Sequence, residues 1–378
     1  MRVVVAPDKF KGSLTAAEAA LAMADGVREA VPDAEVRLLP VSDGGEGFIA
    51  AAVTAGWTPQ SAVVQGPCGD PVRAGYAVRD GAAVLEMAEA SGLRLLPGGV
   101  SAPLTASTRG TGELVLAALD GGARRLVLGV GGSATTDGGA GLAQALGARL
   151  LDADGKDLPP GGAALVDLDR VDASSMDPRL AGLEVVVATD VDNPLVGSSG
   201  AAAVYGPQKG ADPEDVVRLE AGLRRWALVL NRDLGADLAE VPGAGAAGGL
   251  GAGAMAFLGA RQVSGIAAVL DIVGFRQALL GADLVLTGEG SLDAQSLFGK
   301  APVGVAAAAG RARVPVVALV GRLDLHPDQV RGAGFVQVRA LLELQPDVDA
   351  AVRDAAGLLT RLTCQAVLDV VYPPPGRA

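Results

Sequence analysis

Six short stretches of this 378-residue chain set charged and hydroxyl side chains among glycines. Asp8, Lys9, Lys11 and Ser13 fall in APDKFKGS, and Asp43 and Glu46 in SDGGEG. Ser133, Thr135 and Asp137 follow Gly131 and Gly132 in VGGSATTDGGAG, while Asp190 and Asp192 stand in TDVDNPL. Lys209 lies in YGPQKGA, and Glu289, Asp293 and Lys300 in TGEGSLDAQSLFGKAP. Carboxylates, ammonium groups, hydroxyls and glycine backbone are the equipment of phosphoryl transfer, in which positioning and charge neutralisation do most of the catalysis. Glycines let backbone N–H groups approach an anion closely, and a helix start adds partial positive charge. In extended chain residues i and i+2 point the same way. Asp190 and Asp192 would then present two carboxylates on one side of a strand end, which suits Mg²⁺.

The basic residues sharpen this. The chain has 26 arginines and only five lysines: Lys9, Lys11, Lys156, Lys209 and Lys300. All but Lys156 lie in or beside the glycine-containing stretches above. Lysine is a compact point charge suited to phosphate, so Lys9, Lys11, Lys209 and Lys300 are candidate anion ligands, with chance placement as the alternative. The stretch from Arg124 to Gly141 joins an apolar run, a glycine turn and a helix start, and proposes phosphate binding against the alternative of a plain α/β turn. It lacks the Lys-Ser/Thr ending of a Walker A loop and displaces the third glycine of G-x-G-x-x-G. The run Gly243 to Gly253 either lines a ligand or permits tight packing.

Composition excludes other chemistry. A net charge of −12 without a basic run argues against nucleic acid and against an anionic membrane surface. The one histidine, His326, lies outside every motif, so a Ser-His-Asp hydrolase is not expected. Cys68 and Cys364 give neither a disulfide framework nor metal-ligand spacing. Val3-Val4-Val5 begins a strand at once, leaving no room for a signal peptide, and a cytoplasmic location is expected.

The elements that must position these residues follow an α/β pattern. Val3 to Val5, Leu126 to Leu128, Glu184 to Ala188, Ala282 to Thr287 and Val314 to Val320 are apolar runs of buried-strand type, each ending in one of the charged or glycine-rich loops. Open α/β sheets bind ligands at such strand ends. Thr15 and Glu18 form a capping box ahead of a helix to about Val31. From Thr58 to Leu96 short alternating runs separated by Asp-Gly and Gly-Pro turns read as hairpins. The expected organisation is α/β with two domains: residues 1–58 plus 281–378 as a discontinuous domain with a mostly parallel sheet, and residues 59–280 as an inserted α/β domain.

These six stretches, in this order and spacing, resemble the bacterial glycerate kinase family. The resemblance spans most of the chain; Ser42, where alanine is expected in much of the family, is a mild departure. It implies ATP- and Mg²⁺-dependent phosphorylation of D-glycerate, usually to 2-phosphoglycerate rather than 3-phosphoglycerate, with the active site in a cleft between the two domains. The roles that follow place Lys9, Lys11 and Ser13 on the substrate or the γ-phosphate, with Asp8 and Glu46 beside them. Asp43 or Asp190 accepts the substrate hydroxyl proton. Gly131, Gly132, Ser133, Thr135, Asp137 and Lys300 serve the nucleotide phosphates, and Asp192 and Glu289 hold Mg²⁺. A monomer or homodimer without nucleic-acid or membrane partners is expected. The alternatives are a nicotinamide-dependent dehydrogenase of a small hydroxy acid and a non-catalytic small-acid-binding protein.

Overall fold

The computed structural model describes residues 1–42, 47–297 and 300–372, so that Asp43 and Glu46 lie outside the described residues. The chain is mixed α/β with mainly parallel strand pairs, and its contacts divide it into two compact units. One holds residues 1–42, residues 50–56 and the chain from Ile266 onward; the other holds Trp57–Gly265. Residues 266–280 thus pack in the first unit, ahead of the return at residue 281 read from the sequence.

The first unit is built on five parallel strands in the spatial order Gln337–Ala340, Val316–Val320, Leu284–Thr287, Arg2–Val5 and Glu35–Leu38. The middle strands are apolar along nearly their whole length because both faces are covered. Val3, Val5, Leu284, Leu286, Val317 and Leu319 face the helices Ala16–Ala30 and Ala355–Val371. Thr15 caps the first of these helices, with Glu18 N–H donating to Thr15 Oγ1 and Thr15 N–H to Glu18 Oε2. This is the expected box, and such a cap contributes about 1 kcal/mol. From the junction of Arg2–Val5 with Leu284–Thr287 the chain winds outward in both directions. The loops leaving these two strands therefore diverge, which makes the junction the switch point of the sheet.

The second unit holds a six-stranded sheet in the order Arg261–Val263, Glu184–Ala188, Arg125–Gly129, Ala82–Glu86, Pro71–Arg79 and Thr58–Gln65. The last three strands pair antiparallel, as the alternating runs predict, and the remaining pairs are parallel. Asp80 and Gly81 both have positive φ in the two-residue turn of the second hairpin, the geometry that matches strand twist. Among the described residues no helix is long and apolar enough to cross a membrane.

Candidate active site

In the first unit the charged loops leave the sheet at its switch point. The loop after Arg2–Val5 closes on itself, with Phe10 N–H donating to the Leu14 carbonyl (2.8 Å) and Leu14 N–H to Phe10 (3.0 Å). This leaves Lys11 and Gly12 exposed at its tip and Lys9 half-buried. Among the described residues neither ammonium is in an ion pair. Ser13 Oγ donates to the Phe10 carbonyl at 3.1 Å. The loop after Leu284–Thr287 is held on both sides: Asp8 N–H donates to the Gly288 carbonyl (2.8 Å) and Gly321 N–H to the Glu289 carbonyl (3.1 Å). Glu289 is thereby fixed between two strand ends and is only 8% exposed.

Burial pushes the Glu289 carboxyl up to about 7, helped by the charges of Asp8 and Asp293 and opposed by a Ser296 hydrogen bond and the Lys300 charge. Its Oε1 is buried without a hydrogen-bond partner among the described residues. An orphaned carboxylate oxygen beside the 7%-exposed Asp8 is a donor set for a hard cation. Among the described residues no three His, Cys, Asp or Glu side chains form a complete metal cage. Lys300 stands at the N-cap of the helix Ala301–Arg311, with its ammonium 3.8 Å from Asp293.

In the second unit the Arg124–Gly141 stretch forms the strand Arg125–Gly129, a turn, and the six-residue helix Ala140–Ala145. Asp137 is completely buried at the centre of the turn. Its carboxylate accepts from Thr108 N–H (2.8 Å), Thr108 Oγ1 (2.9 Å), Gly139 N–H (3.1 Å) and Gly141 N–H (3.1 Å). Desolvation raises its pKa, and these donors oppose the rise. The helix start that the sequence offers to a phosphate is thus already filled by the chain's own carboxylate. Asp137, expected among the nucleotide ligands, shapes the turn from inside.

Lys209 is a second correction. Expected as an anion ligand, it is 2% exposed and donates from Nζ to the Thr135 carbonyl (2.6 Å) and to Ser133 Oγ (3.2 Å). Burial lowers its pKa to about 7, partly offset by the Asp137 charge. Ser133 Oγ also donates to the Ala247 carbonyl at 3.3 Å, and Thr135 is fully buried. The hydroxyls of the turn point into this internal network, and the parts left open to a ligand are the backbones of Gly131 and Gly132.

The glycine run after residue 243 resolves as tight packing. A Cβ on Gly248, whose φ is +71°, would fall 1.9 Å from the Thr135 carbonyl oxygen, and one on Gly253 would fall 2.7 Å from Gly139 Cα. Gly248→Ala is therefore expected to destabilise this unit by about 2–4 kcal/mol through clash and positive φ together. Thermal melting followed by tryptophan fluorescence checks this, since Trp57 and Trp226 both lie in this unit. Wild-type melting would contradict it.

The TDVDNPL loop is pinned by its asparagine: Tyr205 donates to Asn193 Oδ1 (2.5 Å), and Asn193 Nδ2 to the Ser199 carbonyl (2.8 Å). Asp190 and Asp192 are both exposed, and Asp190 Oδ1 accepts from Gly265 N–H at 3.0 Å. Thr108 is the residue that sequence reasoning missed. Its signal is a Ser-Thr pair immediately before the helix Arg109–Asp120, a cap position.

The profile of the glycerate kinase family matches residues 3–371. The chain belongs to the glycerate kinase family. It is 46% identical over 360 residues to the glycerate kinase of Halalkalibacterium halodurans, covering 94% of this chain and 95% of that one. With the glycerate 2-kinase of Escherichia coli K12 it shares 45% over 358 residues, 94% of each. A crystal structure from Salmonella typhimurium LT2, provisionally named glycerate kinase 2, superposes with a TM-score of 0.88 at 42% identity, covering 98% of each chain. Family membership makes the chain a kinase with a small-molecule substrate and implies ATP as the phosphate donor. The dehydrogenase and binding-protein alternatives have no support among these relatives.

Proposed function

We propose that the chain transfers the γ-phosphoryl group of ATP to the C2 hydroxyl of D-glycerate, giving 2-phosphoglycerate and ADP. The observation that carries this reading is 45% identity, across 94% of both chains, to a protein named glycerate 2-kinase. In the step, the C2 oxygen forms a bond to the γ-phosphorus as the bond to the β-phosphate oxygen breaks. ADP leaves with the bonding pair, and the hydroxyl proton passes to a carboxylate. Asp190 is the base assigned here, oriented by the Gly265 N–H; Asp43 is the other residue the sequence offers. The ammonium groups of Lys9 and Lys11 neutralise substrate carboxylate or phosphate, and Lys300 supplies a further charge. Mg²⁺, when bound, neutralises phosphate charge. Glu289 is the ligand that fits it best, with its orphaned buried oxygen and Asp8 nearby. Asp192 is the second carboxylate assigned to it. The Gly131–Gly132 backbone serves the anionic ligand, while Ser133, Thr135 and Asp137 keep its shape. A cytoplasmic location fits the cofactor.

ADP release with D-glycerate, lactate, tartronate and erythronate tests the reading. D-Glycerate is expected to support the fastest release. No release with any of the four would overturn it.

A further inference from the structure

We infer that an apolar slot in the first unit receives the purine base of the nucleotide, an assignment that rests on the kinase reading above. The slot lies across the carboxyl ends of the parallel strands and has a volume of about 130 Å³. Phe10, Leu341, Leu342, Val348, Val352 and Ala355 form its walls. Its polar side chains are those of Lys11, Ser13 and Arg322. Arg322 is engaged by Asp324 at 2.8 Å, whereas Lys11 is in no ion pair among the described residues.

Size and polarity select the occupant. Whole drug-sized ligands fill roughly 300–1,000 Å³, so this slot holds one ring system and not a complete nucleotide. Glycerate carries a polar atom on every carbon. Walls of this kind would leave those atoms unpaired, at a cost of roughly 1–3 kcal/mol each. A purine presents flat apolar faces and needs few partners. Its triphosphate would extend from the slot past Lys11, whose charge is opposite.

The wall residues show the same preference. Val348 and Val352 are 58% and 43% exposed and stand four residues apart on the helix Val348–Arg353, so they share one face at the slot's edge. A base lying in the slot would cover that face. The kinase roles assigned above use none of the apolar side chains, and the slot gives them one.

The test is Val348→Asp and Val352→Asp, both at exposed positions where folding should survive, with melting temperature measured as a control. ADP binding is read by isothermal titration calorimetry and KM by ADP release. Each variant is expected to weaken ADP binding and raise the KM for ATP about tenfold, the effect of losing one good apolar contact. The KM for D-glycerate should move less than twofold. Inorganic tripolyphosphate, which has the charge but no base, should bind wild type and variants alike. ADP affinity and ATP KM within twofold of wild type in both variants would overturn the slot, as would tripolyphosphate binding as tightly as ADP to wild type. Because ADP binding is read without turnover, a wild type that binds ADP in the slot yet leaves glycerate unphosphorylated would sink the glycerate reading and spare the slot.

Discussion

Asp137→Ala is expected to destabilise the second unit by about 3–6 kcal/mol, enough to lower its melting temperature by many degrees. The carboxylate is the acceptor for three backbone amides and one hydroxyl, all buried. Alanine leaves those donors without partners where water does not reach. An abandoned buried donor costs roughly 1–3 kcal/mol, and the amides cannot turn away because they belong to two helix starts. The loss is also felt at the ligand side, since the same carboxylate fixes the turn that presents Gly131 and Gly132. Asp137→Asn keeps the shape and part of the acceptor capacity, so it should retain about half the effect. Tryptophan fluorescence during thermal and urea unfolding reads this unit directly: Trp226 Nε1 donates to the Gly138 carbonyl at 2.9 Å, beside the turn. An alanine variant that melts with wild type would show that the hub carries no weight.

Glu289→Gln has the second large expected effect, on turnover and on the pH dependence of stability. The folded carboxyl is raised from 4.5 to about 7, chiefly by burial. Below about pH 4.5 folded and unfolded chains both hold the proton. Between 4.5 and 7 the folded chain keeps a proton that the unfolded chain has lost, so this group's contribution to stability falls as pH rises. The loss is complete above pH 7 and amounts to about 3 kcal/mol. Glutamine has no such titration. Scanning calorimetry of the metal-free protein should show the pH slope in wild type and a flatter one in the variant. Mg²⁺ should stabilise wild type at pH 8 and leave the variant nearly unmoved, and turnover should fall about a hundredfold or more, because a cation that neutralises phosphate is no longer held. Equal pH slopes and equal responses to Mg²⁺ would remove Glu289 from the metal.

The sequence made some of this legible and hid the rest for physical reasons. Apolar runs of four or five residues ending in glycine loops identified the central strands, and Thr15 with Glu18 marked a helix start that the structure reproduces. Alternation with Asp-Gly turns gave the antiparallel hairpins. These signals are local. The direction in which a loop side chain points is not. Lys209 sits in a glycine-flanked motif like Lys9 and Lys11, yet turns inward, because its acceptors on Thr135 and Ser133 are 74 and 76 residues away along the chain. Asp137 likewise read as a ligand because its partner Thr108 is 29 residues upstream. Glycine density at 243–253 announced close approach to something; that the partner is the Thr135–Gly139 backbone and not a ligand is a tertiary fact. The raised pKa of Glu289 depends on which strand ends meet at the switch point, and no spacing within TGEGSLD encodes that.

The central claim is most directly tested by proton-coupled ³¹P NMR of the product formed from D-glycerate, ATP and Mg²⁺. Phosphorylation at C2 couples the new phosphate ester to a single carbon-bound proton and gives a doublet, which is the result predicted here. A triplet from the C3 methylene ester would contradict the regiochemistry, and a spectrum without a new phosphate ester would contradict the assignment as a whole.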